Sequence, residues 1–306
     1  MYANVIETMV ILFVLAMVGF VANKLGYTNH DFDRTLSKIV FDITCPALIL
    51  SSVMSGDLPD RKMILPLLAV GFLTYLILVP VSWLYGKAVG RTRDEQGVLA
   101  FISTFGNVGF IGYPVVTALF GAGSVFYAAM LNFPNSVFVY TLGIIMIAGR
   151  RQAHLNWKVL ISPGLVCSYL AAAIVVLGID DIPRIIAQPV TLVGSITVPA
   201  SMIIVGSQMA EIPLRKMLGS WRAYTCVAMR LLVAPVLIWA VMYAAGVGAD
   251  VNNVNTAVIA MPAASLATIL CLRYDKDMTL VEVVTFLTYV FSILTIPLVS
   301  LLFHSA

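Results

Sequence analysis

The sequence contains few charged residues. Asp, Glu, Lys and Arg make up 11% of its 306 residues, whereas about 25% is usual in a soluble domain. Hydrophobic residues make up 60%, and the mean hydropathy is +0.98. Such a chain cannot cover a folded core with polar side chains, so lipid must solvate much of its surface. The formal charge of +3 comes without a long basic tract. We therefore expect the lipid bilayer as a partner and no nucleic acid.

Residues that commonly carry chemistry are also scarce. The four cysteines lie singly in apolar runs, and the three histidines lie in loops or at the C-terminus. This pattern excludes a disulfide framework, a metal site and a histidine relay across the membrane. Walker, HExxH and GxSxG motifs are missing from the sequence as well. We expect no enzyme activity, no catalytic residues and no cofactor.

Ten apolar segments are long enough to cross the bilayer as helices, because about 20 residues span its hydrocarbon core. The sequence therefore predicts an all-α integral membrane protein with ten transmembrane helices and short connections. The first helix lacks a basic leader, so we expect it to be retained. The predicted spans are Val5–Ala22, Leu36–Met54, Met63–Tyr85, Val98–Phe120, Val125–Ala148, Val159–Leu177, Pro189–Met209, Ala223–Ala245, Val254–Leu272 and Val281–Phe303.

Lys and Arg residues are distributed unequally between the two sides of the predicted membrane domain. Alternate connections carry fourteen of them, the opposite connections carry three, and Arg230 lies within a span. Cytoplasmic loops are enriched in Lys and Arg. This asymmetry predicts that both termini face away from the cytoplasm.

The two halves of the chain resemble each other. The sequence ITCPA around Pro46 recurs as ITVPA around Pro199, at an offset of 153 residues. Because five spans per half is an odd number, the second half must enter the membrane inverted. We predict two inverted five-helix repeats, 1–149 and 159–306, joined by a cytoplasmic linker at 150–158, an organisation typical of alternating-access transporters. Further matches are Leu25-Gly26 with Leu177-Gly178 (offset 152), Pro80 with Pro235 (offset 155) and Pro114 with Pro262 (offset 148).

The predicted fourth and ninth spans are interrupted at corresponding places. The fourth contains GNVGFIGYP at 106–114, and the ninth contains AMPAAS at 260–265. In a helix each glycine costs about 1 kcal/mol and a proline ~3 kcal/mol. Packing and kinks are one explanation of such residues. However, paired interruptions in two halves indicate a transporter's binding site, and the helix N-termini that follow favour anions. The candidate substrate-binding residues are Asn107, Gly109, Tyr113, Pro114, Pro262 and Ser265.

Ionisable residues occur well inside two of the predicted spans. Arg230 and Asp42 enter the eighth and second spans to similar depths from the same side. Ionisable groups within a membrane are costly and commonly functional. The two residues could form a charge pair; alternatively, Arg230 could bind a substrate carboxylate or extend to the interface.

The GNVGFIGYP segment, Pro46, the five-plus-five organisation and Pro262 resemble the auxin efflux carrier family over the whole chain. That family includes plant auxin exporters and bacterial permeases for malonate or malate. The resemblance implies a scaffold domain and a mobile transport domain, with the fourth and ninth helices crossing at Pro114 and Pro262. It also implies an organic anion bound near Asn107. The short linker fits a bacterial member, located in the inner membrane. The plant proteins have a second Asn near the ninth-helix crossing, where this chain has Met and Ala.

These features favour an alternating-access transporter, secondary active or facilitative, for a small mono- or dicarboxylate. Coupling stays open: Asp42 could take a proton, or hydroxyls such as those of Thr44, Thr197 and Ser265 could bind sodium. A sodium-coupled symporter of the bile-acid-carrier type is the nearest alternative. A membrane ligand sensor without transport is an alternative of another class, although the short loops carry no signalling domain. A second copy of the chain, in a homodimer, is a further candidate partner.

Overall fold

The computed structural model describes residues 2–54, 60–149, 161–179, 181–211, 221–264, 266–276 and 278–304. In these ranges the chain is all-α, with turns and one isolated β-bridge between helices. The predicted linker at 150–158 lies outside them. The α-helices are α1 (Tyr2–Lys24), α2 (His30–Ile39), α3 (Cys45–Ser51), α4 (Ile64–Val89), α5 (Arg93–Thr104), α6 (Tyr113–Phe120), α7 (Ser124–Phe138), α8 (Ile144–Ala148), α9 (Pro163–Leu177), α10 (Arg184–Ser195), α11 (Thr197–Glu211), α12 (Trp221–Ala228), α13 (Ala234–Ala244), α14 (Ala249–Ile259), α15 (Leu266–Arg273) and α16 (Met278–Ser300).

Several helices have the length and apolar composition that a membrane span requires. Within the described residues, five helical segments meet both conditions: Arg61–Val89, Ser124–Ala148, Arg184–Glu211, Trp221–Ala244 and Thr279–Phe303. Three shorter apolar helices are Val10–Lys24, Val108–Phe120 and Pro163–Leu177. The prediction of a multi-pass, helical membrane protein is therefore confirmed, whereas the count of ten spans stays a prediction.

The surface of these helices is apolar where a soluble protein would be polar. Leu65, Leu84 and Leu294 are each at least 67% exposed, although all three lie in long apolar helices. Apolar side chains that project outward in this way are suited to contact with lipid rather than water.

Short π-helical segments join several of the α-helices. A proline has no N–H group to donate, so the ladder of backbone hydrogen bonds is disturbed one turn before it. Three π-helical segments end two residues before a proline: Val40–Thr44 before Pro46, Val108–Gly112 before Pro114, and Met229–Val233 before Pro235.

The described residues form two compact units, and each unit takes segments from both halves of the chain. The first comprises described residues of Met1–Ala69, Gly109–Phe133 and Lys158–Glu211. The second comprises described residues of Val70–Val108, Pro134–Trp157 and Ile212–Ala306. The predicted repeats are continuous in the chain, whereas these units are defined by contacts in space. The units therefore do not test the repeat boundaries at 149 and 159, which stay a prediction.

In the first unit, close backbone contacts hold α1 against α11. A Cβ atom at Gly19 would overlap the backbone of Ile203, and one at Gly206 would overlap the carbonyl of Ala16. Glycine permits this approach because it has no side chain. Helix α3 packs between α9 and α10 in the same unit.

In the second unit, α5 packs against α8 and α14 packs against α13. A Cβ atom at Gly97 would overlap the carbonyl of Met146, so this contact too depends on a glycine. Helix α16 packs against α12 and the π-helical segment Met229–Val233. The interrupted part of the predicted ninth span and the first half of the fourth lie in this unit.

Candidate functional site

Both predicted interruptions are present as breaks in helical structure. Helix α5 ends at Thr104, and Phe105 has an extended backbone with φ −106° and ψ 122°. Helix α14 ends at Ile259, and the next described helix, α15, begins at Leu266. Each break therefore frees backbone groups that a continuous helix would satisfy internally.

The two breaks satisfy part of this hydrogen-bonding capacity by pairing with each other. The N–H of Asn107 donates to the carbonyl of Pro262 at 2.8 Å, and the N–H of Ala264 donates to the carbonyl of Phe105 at 3.2 Å. Gly106 and Ala263 form an antiparallel bridge between these two bonds. We call this paired region of residues 105–107 and 262–264 the crossing. It joins the backbone of Asn107 to that of Pro262.

Arg230 binds the carbonyl groups beside the crossing. Its Nε donates to the carbonyl of Met261 at 2.9 Å, and its Nη1 donates to the carbonyls of Thr104 at 2.8 Å and Ser103 at 3.4 Å. The side chain is 1% exposed. The acceptors lie at the C-terminal ends of α5 and α14, where helix dipoles favour a cation. Arg230 thus joins both broken segments.

The acceptors of Arg230 are neutral. Among the described residues, its hydrogen bonds go to backbone carbonyls and it forms no ion pair with a carboxylate. Asp42, the partner proposed from the sequence, belongs to the first unit, and its side chain is exposed. Backbone carbonyls are thus the acceptors of Arg230 within the described part of the second unit, and its pairing with Asp42 stays a hypothesis.

Helix α16 supplies two further polar groups that the sequence analysis missed. The side-chain amide of Asn107, which is 5% exposed, donates to the hydroxyl of Tyr289 at 2.8 Å. The hydroxyl of Thr288 accepts a hydrogen bond from the N–H of Ala263 at 3.1 Å. The sequence gives no signal that Thr288 and Tyr289 bind the crossing, because threonine and tyrosine also occur in long apolar segments as packing residues.

The remaining candidates of the fourth span belong to the first unit. Tyr113 is 4% exposed, and its hydroxyl accepts a hydrogen bond from the side-chain amide of Asn132 at 3.2 Å. Pro114 is in the first turn of α6, where its missing N–H costs little. The backbone of Gly109 faces the ring of Phe41. Ser265 lies outside the described residues.

The chain matches a known family over nearly its whole length. The family model described as membrane transport protein matches residues 4–156 and 152–300. An uncharacterized transporter of Methanothermobacter thermautotrophicus is 24% identical over 295 residues, covering 95% of this chain and 96% of the relative. An uncharacterized transporter of Methanocaldococcus jannaschii is 26% identical over 301 residues, with the same coverage. The family match and the interrupted helices lead to one assignment: the chain belongs to the membrane transport protein family of auxin efflux carrier type.

Proposed function

We propose that this transporter carries a small organic anion, a mono- or dicarboxylate, by alternating access, and binds it beside the crossing. The transport is secondary active if it is coupled to an ion and facilitative if it is not; the proposal assigns no coupling ion. The observation that carries the anion assignment is the buried charge of Arg230, which has neutral acceptors among the described residues.

Electrostatics make this arrangement selective for anions. Two unit charges roughly 8 Å apart interact by about 2 kcal/mol at an effective dielectric constant of about 20. Arg230 would therefore attract an anion beside the crossing and repel a cation by a similar amount. Because its acceptors are uncharged carbonyls, that field is not cancelled by a paired carboxylate among the described residues.

Two further groups support an anion site in the second unit. The side chain of Asn107 carries amide N–H groups that can donate to a carboxylate, and it lies at the crossing. Helix α15 begins close after the crossing, and the N–H groups of a first helical turn favour negative charge. Pro262 favours the break in the helix because proline has no N–H group to donate and its ring clashes with the preceding turn.

The composition of the two units supports the inverted-repeat architecture. Both units contain segments from each half: 1–69 and 158–211 in the first, and 70–108 and 212–306 in the second. The segments 1–69 and 158–211 of the first unit occupy corresponding places in the two halves, at about the offset of 153 residues that separates Pro46 from Pro199. We accordingly propose ten spans in two inverted repeats, in a bacterial inner membrane, with both termini non-cytoplasmic as the distribution of Lys and Arg predicts.

A thermal-shift titration of the purified protein with malonate, malate and monocarboxylates tests this proposal. A ligand that binds the folded state raises the melting temperature. Asn107→Ala should weaken binding by roughly 10-fold or more, because a hydrogen bond to a charged group contributes about 1.5–3 kcal/mol. Asn253→Ala is the control: it makes the same change in α14, where Asn253 binds the carbonyl of Phe303.

The control variant should retain the affinity of the unmodified protein. Stabilisation by organic cations or neutral solutes, with none by any carboxylate, would overturn the anion assignment. Equal responses of the unmodified protein and Asn107→Ala would show that Asn107 is not a ligand.

A further inference from the structure

Asp33 is a buried carboxyl group in the first unit, outside the predicted spans. It lies in α2 and is 3% exposed, and neither of its carboxyl oxygens has a hydrogen-bond partner among the described residues. An ionised carboxylate in such surroundings costs several kcal/mol unless it is paired or hydrogen-bonded. The residue must therefore gain a cation or a proton to remain buried at low cost.

Ser207 of α11 lies close to Asp33, although it is not hydrogen-bonded to the carboxyl oxygens. Its hydroxyl is 2.8 Å from the hydroxyl of Thr28 and accepts a hydrogen bond from the side-chain amide of Asn23 at 3.1 Å. The hydroxyl of Ser207 is therefore engaged with Thr28 and Asn23, and it does not satisfy the carboxyl oxygens of Asp33.

Among the described residues, the charged groups around Asp33 do not supply a paired cation. Glu211, at the end of α11, adds a second negative charge, and His30 lies on α2 itself. Lys24, at the end of α1, donates instead to a backbone carbonyl of α11 at 2.7 Å. Asp42, on the π-helical segment that packs against α2, is exposed. In the described chain, the electrostatic balance at Asp33 thus favours the neutral acid.

The pKa of Asp33 is consistent with this balance. Burial raises it from 3.8 to about 6; the nearby hydroxyl of Ser207 and the charge of His30 lower it, and the charge of Glu211 raises it further. The group therefore changes its charge close to neutral pH rather than in acid.

We propose that Asp33 is a proton-binding site that is occupied when α2 is packed against α11. A metal cation would need several oxygen ligands, but the hydroxyl of Ser207 is already engaged with Thr28 and Asn23. A proton needs only the carboxyl group itself. The site is distinct from the crossing, and its occupation does not depend on the substrate that the transporter carries.

Melting temperatures measured from pH 4 to pH 8 without substrate test the site. The pKa of Asp33 is higher in the folded protein than in an unfolded chain, so the stabilisation is complete below about pH 4 and is lost as pH rises through about 6. Asp33→Asn resembles the protonated acid and escapes this loss. The melting temperature of Asp33→Asn should therefore exceed that of the unmodified protein by an amount that grows between about pH 4 and pH 6. At pH 7 the difference should be at least about 3 °C.

Asp31→Asn is the matched control, because it makes the same change on an exposed residue of the same helix. Its difference from the unmodified protein should stay constant with pH. A constant difference for Asp33→Asn, or an equal rise in the control, would overturn the proposal. Because no substrate is present, this outcome would leave the carboxylate assignment unaffected.

A second measurement uses the unmodified chain, in case Asp33→Asn does not fold. With carboxyl-¹³C aspartate incorporated, infrared spectra should show a protonated carboxyl band at pH 5.5 that disappears near pH 7. Ordinary aspartates have pKa values of about 3.9 and are ionised at both pH values. A spectrum without that band at pH 5.5 would contradict a proton on Asp33.

Discussion

Gly106→Ala should displace the guanidinium of Arg230 from the crossing. A Cβ atom at Gly106 would overlap Nη2 of Arg230, and it would lie 2.9 Å from Cζ and 3.2 Å from the carbonyl oxygen of Met261. Contacts under 3.0 Å force one of the groups to move. The backbone of Gly106 is held by the pairing with Ala263, so the guanidinium is the group that must move.

The loss in stability can be worked out from the hydrogen bonds that Arg230 makes. Its bonds to the carbonyls of Met261 and Thr104, at 2.9 and 2.8 Å, are the short ones. Hydrogen bonds to charged groups contribute about 1.5–3 kcal/mol each, so losing both lowers the free energy of unfolding by roughly 3–6 kcal/mol. The displaced charge also stays buried and poorly solvated, which adds to the loss.

A double-mutant cycle with Arg230→Met isolates this cause. In the Arg230→Met background there is no guanidinium to displace, so Gly106→Ala should cost less than about half of its cost in the unmodified protein. Thermal or denaturant unfolding in detergent measures each variant. Gly123→Ala, where a Cβ atom meets nothing within 4 Å, should change stability little. An equal cost of Gly106→Ala in both backgrounds would refute the role assigned to Arg230.

Three other substitutions test separate contacts. Gly206→Ala should destabilise the first unit, because its Cβ atom would overlap a carbonyl of α1, whereas Gly164→Ala, with open space around it, should not; melting curves compare the two. Thr288→Val should lower the free energy of unfolding by about 1–3 kcal/mol, since it leaves a buried N–H of the crossing without an acceptor; an unchanged unfolding curve would contradict this. Tyr289→Phe removes the acceptor for the Asn107 amide and should alter carboxylate affinity in titrations while the fold persists; unchanged affinity would exclude this positioning role.

Local sequence features were sufficient to predict the helices and their two breaks. Apolar length indicates a membrane helix wherever it occurs, and the glycines and prolines beside Asn107 and Pro262 act on the backbone directly. The sequence also places Arg230 within an apolar segment, although only the structure shows that its side chain is buried. These parts of the account depend on residues close together in the chain.

The contacts of the candidate site depend instead on segments far apart in the chain. The hydrogen bond between Asn107 and Tyr289 joins residues 182 positions apart, and Arg230 reaches Thr104 across 126 positions. Hydropathy carries no information about which carbonyl a buried guanidinium will meet. Backbone acceptors such as the carbonyl of Thr104 have no sequence signature of their own, whereas an acidic residue such as Asp42 does.

Counterflow in proteoliposomes tests the central claim, carboxylate transport through the crossing, most directly. Vesicles loaded with unlabelled malonate or malate should accumulate the labelled compound from outside, and Asn107→Ala should abolish most of this exchange while Asn253→Ala retains it. Other carboxylates should compete, whereas organic cations and neutral solutes should not. Exchange of a cation or neutral solute, together with no exchange of any mono- or dicarboxylate tested, would contradict the account.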